Sequence, residues 1–100
     1  MPKRRSPSKP PQAREPRVAA LTAEFLEDLE WWVRTDRTIA LRLMSLMTAV
    51  LRDPFAGLGK PEPLKHIGAD VWSRRLTDEH RVVYRVSDQR VSFLQGRYHY

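Results

Sequence analysis

From Val18 onward the apolar positions recur with two different periods, and the change of period sets out the elements. "RVAAL" is a short apolar run suited to a first strand, and it stops at Thr22, a residue type that caps helix N-termini. From Thr22 to about Val33, the residues Phe25, Leu29, Trp32 and Val33 return at helical spacing, with Glu24, Glu27, Asp28 and Glu30 elsewhere on the cylinder. The early acids suit the positive end of the helix dipole. Asp36 is placed to cap a second helix, in which Ile39, Leu43, Leu46, Met47 and Val50 make an unbroken stripe that ends at Asp53-Pro54. Two such helices joined by three or four residues are expected to pack as an antiparallel hairpin, their stripes forming core.

Residues 54–66, "PFAGLGKPEPLKH", break the periodicity with two glycines and three prolines, which exclude regular structure over most of the segment. A stiff loop of this kind is a good mount for Lys60, Glu62, Lys65 and His66. Three strand-like runs follow, "DVWSRRL", "HRVVYRV" and "RVSFLQGRYHY", separated by turns at residues 77–79 and 87–89. In the second run Val82, Tyr84 and Val86 share one face, and Arg81, Val83 and Arg85 the other. In the last, alternation assigns Val91, Phe93, Gln95, Arg97 and His99 to a single face. The expected architecture is β-α-α-β-β-β, a helical hairpin on a small, mostly antiparallel sheet of the α+β class.

Composition narrows the setting. One hundred residues suit one small domain. The lack of cysteine removes a disulfide framework and a thiol nucleophile and favours a reducing compartment. No run approaches the roughly 18 apolar residues of a membrane span, so a cytoplasmic protein with no membrane partner is expected. The net charge of +6 is uneven. Residues 1–17 hold six Lys or Arg against one Glu and five prolines, and read as a disordered basic tail ahead of a domain over 18–100. Residues 18–53 hold four basic and six acidic side chains, whereas residues 54–100 hold eight basic and five acidic ones. That polarity points to a polyanion facing the second half, with an ordinary mixed surface as the alternative.

The candidate chemistry lies in the same half. Three histidines without cysteine make a thin metal inventory, and phosphate-loop, serine-triad and dinucleotide signatures are missing, so no metal or cofactor is expected. What remains is Glu62, Lys65, His66, Arg74, Arg75, Arg81, Arg97 and His99. A carboxylate, an imidazole and several cations are the parts for phosphodiester cleavage without a metal. A base takes a proton from a hydroxyl, cations stabilise the charged phosphate, and an acid protonates the leaving oxygen. The natural nucleophile is then a neighbouring 2′-hydroxyl, which makes RNA the substrate. Plain RNA binding and ordinary surface salt bridges remain open on these grounds.

"GKPEPLKH" (59–66), "WSRRLTDEHRVVY" (72–84) and the closing "RYHY" (97–100) together resemble the YoeB/Txe family of bacterial toxins in the RelE/ParE superfamily, over roughly residues 18–100. The resemblance implies a ribosome-dependent endoribonuclease that cuts messenger RNA in the ribosomal A site. It implies that Glu62 is the general base, His99 the general acid, Arg81 the phosphate-stabilising cation and Tyr100 a residue that orients the substrate base. Lys65, His66 and Arg75 would line the cleft. Arg74 and Arg97 are expected to contact substrate or ribosomal RNA, or to be surface cations. His80 reads as a turn or packing residue, and Trp72 and Tyr84 as core. A penultimate histidine also sits next to the terminal carboxylate, which favours the imidazolium. The family implies a YefM/Phd-type antitoxin, operator DNA contacted through the antitoxin complex, and compatibility with a toxin homodimer. The first 17 residues have no counterpart in the family pattern, and Asp70 stands where it has a glycine. Two other activities compete: a ribosome-binding translation inhibitor that does not cut, and a ParE-like gyrase inhibitor, against which the joint presence of Glu62, Arg81, His99 and Tyr100 argues.

Overall fold

A computed structural model describes residues 16–98. Most of the basic tail, and the site candidates His99 and Tyr100, lie outside the described residues. Arg17 already belongs to the folded part, donating its Nε–H to the Ser87 carbonyl at 2.8 Å.

The elements run β1 (Val18–Leu21), α1 (Ala23–Thr35), α2 (Arg37–Arg52), β2 (Glu62–Pro63), β3 (Val71–Arg75), β4 (Arg81–Val86) and β5 (Arg90–Tyr98). They form a five-stranded sheet of order β1-β5-β4-β3-β2, antiparallel except where β1 runs parallel to β5. The α+β class and the helices-on-sheet arrangement are as expected, with two differences. The proline-rich loop contributes a two-residue strand, β2, because Glu62 and Pro63 pair with Ser73 and Trp72. The joint between the helices is Asp36 alone rather than three or four residues. Its backbone N–H closes α1 on the Trp32 carbonyl, and its carboxylate accepts from the Ile39 N–H that opens α2. One extended residue serves both ends, so no linker is needed. Thr22 caps α1 as expected, accepting from the Phe25 N–H at 3.0 Å.

Both helices pack on one face of the sheet. Phe25 and Trp32 from α1, with Leu43, Leu46 and Val50 from α2, meet Val82, Tyr84, Val86, Val91 and Phe93. Leu29, Ile39 and Met47 are partly buried against this core, but Val33, which the periodicity placed in the stripe, is 46% exposed. It follows the buried Trp32 directly, about 100° further round the helix, so the buried stripe ends at Trp32.

The β4–β5 ladder is irregular. Val86, Arg85 and Tyr84 pair with Val91, Ser92 and Phe93 in simple register, but Val83 then pairs with Gln95, and Arg81 with Tyr98. Each shift places one extra residue in β5. A bulge leaves backbone groups without partners in the ladder, and α1 takes them over. The Gly96 N–H donates to Asp28 at 2.9 Å, and the Trp32 indole donates to the Gly96 carbonyl at 2.9 Å. Thr22 Oγ1 donates to the Leu94 carbonyl at 2.9 Å. A Cβ on residue 96 would come within 3.2 Å of Leu43 and 3.4 Å of Phe25, so glycine suits a strand pressed this closely on helices.

Candidate active site

Cross-strand partners in a pleated sheet point to the same face. The register therefore places three rows on the face away from the helices. Arg75, Arg81 and Tyr98 form one row, Glu62, Ser73, Val83 and Gln95 the next, and Val71, Arg85 and Ser92 the third. A second, smaller apolar cluster sits among them, in which Leu64 folds over Val71 and Val83 with Leu94 and Tyr98 alongside.

Glu62 and Arg81 meet across this face at 3.2 Å, with side chains 51% and 18% exposed respectively. Their meeting depends on the loop. Gly57 and Gly59 hold left-handed φ angles of 116° and 88°, and Lys60, a non-glycine, holds 53°. The Gly59 carbonyl accepts the Arg75 N–H at 2.6 Å, and β2 follows directly. A short extended pair thus enters the sheet edge with the Glu62 side chain turned to the open face. Beyond it the Leu64 carbonyl accepts from Ile67 and Gly68, and this tight turn carries the exposed Lys65 and His66.

Arg75 lies in the row of Arg81, half-buried, with its Nε–H unpartnered. Glu62, Arg81, Arg75, Lys65 and His66 are therefore gathered on or beside one face.

Arg74 differs from the expectation that it reaches substrate or solvent. It is fully buried on the helix side. Its guanidinium donates to the Leu58 carbonyl at 2.9 Å, the Ala56 carbonyl at 3.0 Å and the Tyr84 hydroxyl at 3.2 Å, and also to the Asp53 carbonyl. Tyr84 in turn donates to the Pro54 carbonyl at 2.7 Å. Burial is the main influence on the Tyr84 phenol and pushes its pKa up, partly offset by Arg74. Adjacent strand residues face opposite ways, so "RR" necessarily splits between the two sides of the sheet. Arg74 becomes the clamp of the loop behind the site.

Arg97 lies on the helix side with Val91 and Phe93, as alternation assigned it, and so not among the open-face cations. Its guanidinium lies 3.6 Å from the centre of the Trp31 ring on α1. Gln95, assigned by alternation to the face of Val91 and Phe93, pairs instead with Val83 on the open side. His80 packs edge-on to Trp32 and Tyr84 is core, both as expected, while Trp72 is half-buried against Phe55. Arg85, which alternation places on the same face as Arg81, is exposed there.

A family model described as the YoeB-like toxin of bacterial type II toxin–antitoxin systems matches residues 21–100. A protein named Toxin YoeB from Mycobacterium bovis is 50% identical over 74 residues, 74% of this chain and 87% of its own length. Among solved structures, a YoeB/ParE toxin from Agrobacterium tumefaciens superposes with a TM-score of 0.77 at 47% identity, covering 83% of this chain and 99% of that one. A heterotetrameric YoeB–YefM toxin–antitoxin complex from Staphylococcus aureus contains a chain with a TM-score of 0.73 at 30% identity, covering 88% and 100%.

Proposed function

The chain belongs to the YoeB-like toxin family of bacterial type II toxin–antitoxin systems, and from that membership we propose that it is an endoribonuclease that cleaves messenger RNA in the ribosomal A site. The observation that carries the reading is the Glu62–Arg81 pair on the open face, with Arg75 beside Arg81 and Lys65 and His66 on the adjoining turn.

The chemistry follows from the parts. The Glu62 carboxylate removes the proton from a substrate 2′-hydroxyl. The 2′-oxygen attacks the adjacent phosphorus, and five oxygens share the growing negative charge, which Arg81 and Arg75 offset. The bond from phosphorus to the 5′-oxygen breaks, and the His99 imidazolium gives its proton to that oxygen. A 2′,3′-cyclic phosphate and a 5′-hydroxyl result. In the resting protein Arg81 holds Glu62 in place; with substrate bound, the guanidinium turns to the phosphate and leaves the carboxylate free to act as a base. Tyr100 orients the substrate base, and an antitoxin of the YefM type, such as accompanies the S. aureus toxin, holds the protein inactive.

The test is a purified translation system with one defined messenger, to which the wild type, Glu62→Gln or His99→Ala is added. Primer extension maps the new 5′ ends, and the 3′ ends are examined for cyclic phosphate. Cleavage at A-site codons that needs ribosomes and is lost in both variants is the expected result. An intact messenger with arrested translation identifies a ribosome-blocking binder instead. Unaffected translation moves the activity to gyrase.

A further inference from the structure

The cations of the open face are not spread evenly. The row of Arg75 and Arg81 is cationic, and in the middle row Ser73, Val83 and Gln95 are neutral beside Glu62. The third row is cationic again through Arg85, which is exposed. Four residues along β4 separate Arg81 from Arg85, about 13 Å at strand rise. Between them Leu64, Val83 and Leu94 make an apolar floor. The Arg85 guanidinium lies at the end of the turn that carries Lys65 and His66, 3.8 Å from where a Cβ on Gly68 would stand. Among the described residues the Arg85 side chain makes no ion pair and no hydrogen bond, whereas Arg81 is engaged by Glu62.

Two cationic ends with an apolar, neutral stretch between them match a single-stranded nucleic acid whose phosphates meet the ends and whose sugars and bases cross the middle. An acidic peptide would gain nothing from a cation-free centre of that length. Resting on the ribonuclease reading above, we infer that the RNA backbone runs along β4, with one phosphate at Arg75 and Arg81 and a second, non-scissile phosphate at Arg85, beside Lys65. Arg85 is then a substrate-positioning residue outside the acid–base set, and the neutral middle row, with Glu62 at its edge, is where the reacting 2′-hydroxyl lies.

The probe is single-stranded RNA with 2′-O-methyl at every sugar, which cannot be cleaved, as a dinucleotide and as a hexanucleotide. Binding is read by fluorescence anisotropy for the wild type, Arg85→Ala and Arg85→Lys across a salt series. Arg85→Ala is expected to weaken the hexanucleotide about fivefold and to flatten the salt slope by about 0.7, the value for one lost phosphate contact on a single strand. Arg85→Lys restores most of the affinity, and the dinucleotide, too short to reach both ends, is bound equally by all three. Equal loss on both lengths, no loss on the hexanucleotide, or no saturable hexanucleotide binding by the wild type overturns the track. So does a loss confined to binding of a YefM-type antitoxin. The ribonuclease reading is judged separately, on cleavage within ribosomes, so either can fail alone.

Discussion

Arg74 is the largest fully buried side chain of the described residues, and all four of its acceptors are neutral oxygens. The perturbation that isolates its role is Arg74→Met, which keeps an unbranched apolar stem and removes every donor. Hydrogen bonds from a charged donor contribute about 1.5–3 kcal/mol each, so four set a ceiling of about 6–12 kcal/mol. Two effects lower it. Asp53, Ala56 and Leu58 are exposed residues whose carbonyls can regain water once the clamp is gone. Methionine also spares the cost of burying a guanidinium that has no carboxylate partner. A methionine cannot replace the donors, however, and the Tyr84 hydroxyl and three carbonyls lose theirs together. The net loss is about 3–4 kcal/mol, within the range for removing one side of a buried charged network. On a domain of this size that lowers the melting temperature by about 12–32 °C.

Urea unfolding followed by tryptophan fluorescence measures it. The expected result is a lower midpoint at unchanged slope, together with a wild-type dependence of RNA affinity on salt. A variant within about 1 kcal/mol of wild type refutes the clamp. If that variant also shows a flatter salt slope, Arg74 is a phosphate ligand after all.

Two further predictions concern the same loop. Tyr84→Phe removes the donor to Pro54 and is expected to cost about 1–2 kcal/mol near neutral pH. Because burial holds the folded Tyr84 phenol above its ordinary value, the unfolded chain ionises first, near pH 10. The contribution of this residue is complete below that pH and is lost as pH rises toward the folded value, so the wild type weakens above pH 10 more steeply than Tyr84→Phe; parallel curves in alkaline urea titrations would exclude the assignment. Gly59→Ala combines a left-handed φ of 88° with a Cβ 2.9 Å from Leu46 and 3.1 Å from the Arg75 carbonyl. It is expected to cost about 2–4 kcal/mol in a denaturation midpoint, and a neutral result would mean that the strap between Gly59 and Arg75 yields.

How far the sequence carried the reading depends on how local each signal was. The two helices and their caps were legible because Thr22, Asp36 and Asp53-Pro54 act within one turn of themselves, and the stripe of Leu43, Leu46 and Val50 repeats without interruption. The joint was placed too long because the fading stripe, rather than the cap, was used to end α1. The motifs singled out Glu62 and Arg81, which the structure brings together, but β2 was not legible, since two residues in a proline-rich loop have no periodicity to detect. Gln95 was assigned to the wrong face for a different reason. A bulge is specified by what receives the freed backbone groups, here Asp28 and Trp32, which lie more than sixty residues earlier in the chain. Strict alternation has no access to that.

The division of the adjacent arginines links the two sides of the sheet. Arg74 reaches toward the helices and fixes the loop at Asp53, Ala56 and Leu58, while Arg75, through its backbone N–H, fixes Gly59 and turns its side chain to the open face. Ser73, one residue earlier, pairs with Glu62 itself. Three consecutive residues of β3 therefore hold the segment that presents the carboxylate, from opposite sides of one strand. A carboxylate mounted on a free loop would have to be ordered at each encounter with substrate, and ordering a residue costs about 1–2 kcal/mol of backbone entropy. Here that cost is met during folding, largely by a cation buried on the helix side of the sheet. It follows that damage to the helix side of β3 should reduce catalysis through the position of Glu62, and damage to the open side through contact with RNA. The two can be told apart because only the second changes the dependence on salt.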